Sequence, residues 1–390
     1  MRFKHFIRVV HLWLGLASGI IVTFLGITGC ILAFQREIED NFQDYRYVTA
    51  QAKPFLPPSQ LKATAQAELP DKLIHAVMYN DASRSAEVIF YKYEPPVSYY
   101  YIAYMDPYTG AVKKLKDMDR DFFRIMVDGH FYLWLPPEIG QPIVASATLI
   151  FLVLMITGLI LWWPRNKHAA KQRFRIRFNA RWRRVNYDLH NVLGFYMTWV
   201  AIFLAVTGLV WGFQWFANGL YGATGGDKSL VYTEPLSDTL SQRNNTAQAP
   251  IDIVWEKMKQ LYPNSESIEV HPPETAASPI AANANPDRDT YWKIDYRYFD
   301  QYTFKELDVD HIYGRFQSAS VADKIMRMNY DVHTGAIMGI AGKVMMFFGS
   351  LIAASLPVTG VVMWLGRRKK KHAKKPLPVM KVKRTVVQSV

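Results

Sequence analysis

The chain has 390 residues, room for two or three domains, and carries a formal net charge of +13. Its single cysteine, Cys30, excludes an intrachain disulfide and leaves almost no material for thiolate chemistry. Half the residues are apolar, yet the mean hydropathy is near zero, so apolar and charged residues must be segregated along the chain.

Taken in order, four stretches are almost free of charge and reach the roughly 20 residues a helix needs to cross a bilayer: 9–34, 143–163, 192–216 and 344–365. The first lacks a small-residue cleavage site and runs on into "QREIED", which reads as a retained span and not a removed signal peptide. Residues 1–10, 164–190 and 366–390 hold three, nine and ten Lys/Arg against one acid in all, whereas the remainder carries 24 Lys/Arg and 32 acids. By the positive-inside rule both termini and the 164–190 loop are cytoplasmic, and 35–141 and 217–342 lie outside, in a bacterium the periplasmic face of the inner membrane. Nucleic-acid binding is the competing reading of so basic a chain, but it does not explain charge confined to juxtamembrane segments. The predicted order is an N-terminal segment with the first span (1–35), an external domain (36–141), a second span (142–164), a basic loop (165–189), a third span (190–217), a second external domain (218–342), a fourth span (343–366) and a basic tail (367–390).

The two halves follow one plan. "HLWLG" at 11–15 matches "HNVLG" at 190–194, and in each case 17 residues separate the histidine from a Thr-Gly pair, Thr28-Gly29 and Thr207-Gly208. "AFQ" at 33–35 and "GFQ" at 212–214 keep that register. In the even spans His130 precedes Thr157-Gly158 by 27 residues and His333 precedes Thr359-Gly360 by 26. Upstream, "MDPYTGAV" at 105–112 and "VDHIYGRF" at 309–316 correspond. An even number of crossings per half makes these parallel repeats. Each external domain reads as α+β. "PSQLKATAQAEL" and "PIDIVWEKMKQLYP" lean to helix, and 220–249 is a polar loop. "AEVIFYKYEPPVSYYYIAYMDPYTGAVKKL" and "TYWKIDYRYFDQYTFKELDVDHIYGRF" suggest paired strands, the first broken at Pro-Pro.

Four histidines thus fall one to a span, His11 and His190 at the cytoplasmic ends, His130 and His333 at the outer ends. Near-twofold symmetry between the halves brings each pair face to face. Two neutral imidazoles converging from different helices between apolar walls is the geometry of a six-coordinate b-type haem, so two such haems are expected. Haem propionates need cations: Arg184, Arg124 and Arg327 stand six residues before their histidines and Arg8 three before His11. Asp188, Asp128 and Asp331, two before the histidine, could hold an imidazole N–H or order the arginine. The Thr-Gly pairs would let a flat ring approach.

Blander readings stand beside this one. A histidine at a membrane interface is often only a polar anchor, Arg and Asp there can simply mark the interface, and Thr-Gly can be small-residue helix packing. Register at two depths is what these readings do not explain. A zinc or iron site built from the same His and Asp would be two underfilled sites without cysteine. "GATGGD" at 222–227 lacks the strand and helix of a nucleotide fingerprint. His5, His75, His168, His271, His311 and His372 fall outside the pattern and are read as solvated surface.

The motifs "RVVHLWLGLASG", "MDPYTGAV", "NYDLHNVLGFY", "YDVHTGAIMG" and "LPVTGVVMWL" together resemble the PepSY-associated transmembrane proteins, an iron-regulated group that includes siderophore reductases. The resemblance runs over almost the whole chain. It implies a four-helix membrane part, PepSY-like external domains, haem b ligated by His11, His190, His130 and His333, and outward electron transfer to a ferric siderophore. Some relatives carry a fused flavoprotein reductase; here a basic tail stands in that place, so the expected donor is a separate cytosolic flavoprotein or membrane quinol. Reduction would loosen a chelate, because all-oxygen ligands hold Fe(III) more firmly than Fe(II). Substrate would dock against Tyr99, Tyr100, Tyr101, Tyr104, Tyr291, Trp292, Tyr296 and Tyr298, about half of which alternation assigns to sheet core. Two other classes are kept open: a non-redox iron or haem binding or transport component, and a peptidase-regulating module on a membrane anchor.

Overall fold

A computed structural model describes residues 2–94, 97–164, 166, 167, 170, 173–240 and 247–373. The Pro-Pro break at 95–96, His168, the side chain of His372, part of the expected loop (241–246) and the tail from 374 lie outside the described residues. Four helices are long and apolar enough to cross a membrane: Phe3–Leu32, Pro137–Trp162, Trp182–Gly212 and Ala336–Arg367. All four begin six to ten residues before the apolar stretch read from sequence, because the helix carries on into its polar interfacial turn. The first span packs against the second and fourth, and the third against the same two, so the first and third stand diagonally opposed. Small residues set the spacing. A Cβ on Gly26 would meet the Ser350 carbonyl at 2.7 Å and the Ala354 methyl at 2.8 Å, so only glycine admits the fourth span at this depth.

The external part is one antiparallel sheet of eight strands in the order β4-β3-β2-β1-β5-β6-β7-β8. The first connection supplies β1 (Ile74–Tyr79), β2 (Ala86–Glu94), β3 (Val97–Met105) and β4 (Val112–Asp117). The second supplies β5 (Ser267–His271), β6 (Ile280–Asn285), β7 (Asp295–Phe299) and β8 (Glu306–Leu307). The two domains expected from sequence are therefore halves of a single sheet, joined where β1 pairs with β5 through Val77 and Val270. Pairing the two inner strands removes two exposed edges that separate domains would each have to protect.

Two helices, α1 (Pro58–Glu68) and α2 (Pro250–Leu261), cover one face of this sheet. Leu61, Val77, Val88, Phe90, Val254, Trp255, Met258 and Val270 make the core between them. Asp252 of α2 accepts from both the backbone N–H (2.8 Å) and the hydroxyl (2.6 Å) of Ser59, satisfying an otherwise free donor in the first turn of α1. The loop between β6 and β7 ties the sheet to the bundle. Arg288 and Arg84 both reach Asp40, which lies on the helical continuation of the first span.

Two short helices position the outer histidines, α3 (Phe122–Tyr132) with His130 and α4 (Asn329–Thr334) with His333. After α3 the chain reverses through Leu133 and Trp134, both left-handed (φ 56° and 57°). Helix α3 therefore lies back against the first and second spans. Gly140 makes room for this, since any Cβ there would collide with the Tyr132 backbone.

Candidate functional site

Each of the four histidines presses its ring onto a Thr-Gly pair of the neighbouring span. His11 Nδ1 lies 2.8 Å from the Thr157 hydroxyl, His130 Nδ1 2.8 Å from Thr28, His190 Nδ1 2.9 Å from Thr359 and His333 Nδ1 2.7 Å from Thr207. The glycine that follows each threonine faces the same imidazole. A Cβ on Gly158, Gly29, Gly360 or Gly208 would sit 3.4–3.8 Å from the ring's Cε1, in contact but not in collision. The flat ring that approaches these glycines is thus the imidazole itself, with room for a methyl group and little more.

The threonines also settle which nitrogen carries the proton. Thr28, Thr157, Thr207 and Thr359 donate their one hydroxyl proton to the carbonyl four residues back, those of Phe24, Val153, Phe203 and Ser355. The hydroxyl oxygen can then only accept, so each imidazole donates from Nδ1–H. His190 adds a second acceptor, the Leu356 carbonyl at 3.1 Å. Nε2 is left bare and basic, the state a metal requires. Among the described residues no hydrogen-bond partner takes Nε2 of any of the four.

His130 and His333, predicted as a pair, stand with ring centres 6.2 Å apart and planes at 71°. Two metal–nitrogen bonds of about 2 Å, plus roughly 1 Å from each nitrogen to its ring centre, span about 6 Å. A small cleft opens beside them, lined by Val144, Thr148, Gly208 and Trp211 as well as the two histidines. Burial pushes the His130 imidazole down to about 4. Burial, and then the neighbouring His130, push His333 to about 3. Both are therefore neutral near pH 7. His11 and His190 project from the two diagonally opposed spans onto Thr-Gly pairs near the ends of the second and fourth. At that end of the bundle Trp162 stacks on Phe195 with centres 3.8 Å apart. Among the described residues no three His, Cys, Asp or Glu side chains converge into a metal site.

The charged residues of the motif have other partners. Asp188 takes Arg184 at 2.9 Å and Asp128 takes Arg124 at 3.4 Å, so two of the three aspartates order their arginine. Asp331 instead accepts the backbone N–H groups of Tyr291 and Trp292, at 2.8–3.1 Å. Threonine does the work the aspartates were expected to share on the imidazoles. Arg327 is 7 % exposed, donates to the Ile294 carbonyl and lies against the Tyr296 and Phe316 rings. Among the described residues its Nε and Nη1 are buried without a hydrogen-bond partner, donors that fit an anionic group such as a propionate. Arg124 Nε is likewise buried without a hydrogen bond among the described residues, its 3.4 Å contact to Asp128 being ionic only. Arg8 lies exposed on the first span.

Of the aromatic residues assigned to substrate, Tyr99 and Tyr101 belong to the sheet core. Tyr104 and Tyr298 are also buried, on the opposite face. Tyr100 points at Tyr91 and Arg124, and Tyr296 lies over Arg327. Trp292 meets Phe316, and Tyr291 is 48 % exposed and packs on Tyr330. His311, read as solvated, is buried: its Nε2 meets the Thr233 carbonyl and its Nδ1 accepts from Tyr313 N–H. Sequence reasoning missed Asn186 and Asn329, whose recurrence in "NYDLH" and "NYDVH" was the available signal.

Compared with known proteins, the chain matches the profile of the PepSY-associated TM region over residues 8–367. No curated protein matches it.

Proposed function

The chain belongs to the PepSY-associated TM region family, and from that premise we propose that it is a dihaem b-type electron-transfer protein of the bacterial inner membrane that reduces ferric siderophores on the periplasmic side. The observation that carries this is the His130–His333 pair, two neutral imidazoles 6.2 Å apart with both Nδ1 atoms tied back to threonine. His11 and His190 form the second pair, at the cytoplasmic end. A haem bound by each pair would supply a one-electron Fe(III)/Fe(II) couple within the apolar bundle. The chain's own part is positional. Threonine fixes the tautomer, glycine lets the ring lie flat, and Arg327 and Arg124 carry buried donors for anionic groups. Two pairs near opposite ends suit a hydrocarbon core of about 30 Å, too wide for one electron-transfer step.

The two parallel halves each contribute one histidine to each pair. Both termini lie in the cytoplasm and the sheet in the periplasm, following the charge bias. The donor is a cytosolic flavoprotein or membrane quinol, and the acceptor is Fe(III) in a siderophore held near the exposed Tyr291, released as Fe(II). The test is a reduced-minus-oxidised spectrum of the purified protein, with haem counted per chain. The expected result is b-type bands at two haems per chain, bleached by a ferric siderophore. His130→Ala and His333→Ala should each remove one haem and leave the other. Absence of haem from the wild-type protein would overturn the reading.

A further inference from the structure

Asn186 and His190 are four residues apart, as are Asn329 and His333, a spacing that places both side chains on one helix face. In each case they seize the same residue of the facing span. Asn186 Nδ2 donates to the Thr359 carbonyl at 3.0 Å while His190 donates to the Thr359 hydroxyl. Asn329 Nδ2 donates to the Thr207 carbonyl at 3.1 Å while His333 donates to the Thr207 hydroxyl. Both asparagines are buried, at 2 % and 8 % exposure, so these bonds are shielded from water. The other two histidines have no such help. Four residues before His11 stands Ile7, and four before His130 stands Met126, neither able to donate.

We propose that Asn186 and Asn329 are positioning residues that turn a one-point contact into a two-point clamp, making His190 and His333 the fixed member of each imidazole pair and His11 and His130 the yielding one. This deepens the reading of the pairs as haem ligands and rests on it for its functional meaning. The clamp itself is a property of the side chains. A ring held at Nδ1 alone can pivot about that bond, whereas a helix pegged one turn earlier to the same threonine cannot shift without breaking both contacts. Each pair would then have one side that can open while the other keeps hold.

The test labels histidines of the full-length protein in detergent with diethylpyrocarbonate and reads each residue by mass spectrometry, with a visible spectrum of the same sample. All four residues are half-buried, and the wild-type ratio within each pair is the reference against which a variant's ratio reports how each ring is held. His130 should label faster than His333, and His11 faster than His190. Asn329→Ala should shift the His333 to His130 ratio about fivefold towards His333, and Asn186→Ala should do the same for His190 over His11. Should those variants fail to fold, Asn329→Asp, which keeps the shape of the side chain and loses the Nδ2 donor, should produce the same shift in a folded protein. Unchanged ratios in folded variants would overturn the clamp. Shifted ratios in a protein without haem bands would uphold the clamp and remove the haem reading, and haem bands with unchanged ratios would do the reverse.

Discussion

At Thr28, Thr157, Thr207 and Thr359 one hydroxyl donates down its own helix and accepts from a histidine on another. Valine has nearly the same shape and no hydroxyl, so Thr28→Val isolates that role. Losing such an outer hydrogen bond typically costs about 10-fold to 100-fold in metal affinity. Haem titration should show one site weakened by about 10-fold or more in Thr28→Val and nearly unaffected in Thr28→Ser. The glycines permit a graded test. Gly208→Ala places a methyl 3.8 Å from the His333 ring and should keep two haems per chain. Gly208→Leu drives a branched side chain into that ring and should lose one. The proximity of His130 and His333 was legible because ionisable residues beside apolar spans are costly to bury, and a shared register sets them apart from isolated polar anchors. The threonine's role was harder to see: Thr-Gly also serves ordinary helix packing, and only geometry shows where the hydroxyl points.

Between the elements, the ties of the sheet to the bundle concentrate on Asp40. Although burial pushes its carboxyl up, Arg84 and Arg288 win and hold it below the ordinary range. The unfolded chain therefore takes up this proton at higher pH than the folded one. The stabilisation is complete above the ordinary carboxylate pKa of about 3.9 and fades as pH falls through the lower folded value. Limited proteolysis in detergent from pH 7 to 3 should show the sheet loosening in acid. In Asp40→Asn this step should be lost and pH 7 stability lowered by about 1–2 kcal/mol, the cost of unpairing half-buried charge. The elements were unevenly legible. The four spans follow from hydropathy, and α1 and α2 were marked by proline at the first turn and an apolar stripe. Strand β6 reads "IAANAN", poor in β-branched residues. It is a strand because β5 and β7 flank it, which no local pattern encodes. The left-handed pair Leu133–Trp134, which folds α3 back onto the bundle, is equally silent in sequence, since neither residue favours that conformation.

Across the whole molecule, the histidine–threonine bonds stay within a half, first span with second and third with fourth, while the His130–His333 pair joins the two. The two halves meet through the β1–β5 pairing, the Gly26 contact between first and fourth spans, and the packing of second on third. Past Trp163 the backbone link between halves is a basic loop, whose Phe174 packs on Trp162 and Phe195, and the larger joining surfaces lie elsewhere. Covalent continuity there is thus dispensable for recognition. A gene cut in that loop should give two polypeptides that find each other in the membrane, and affinity-tagging one should recover the other in equal amount. Replacing Val77 and Val270 by proline would remove two backbone donors from the central strands that form the seam and should abolish that recovery while each fragment still inserts. The β1–β5 seam is in this sense a subunit interface that happens to lie within one chain.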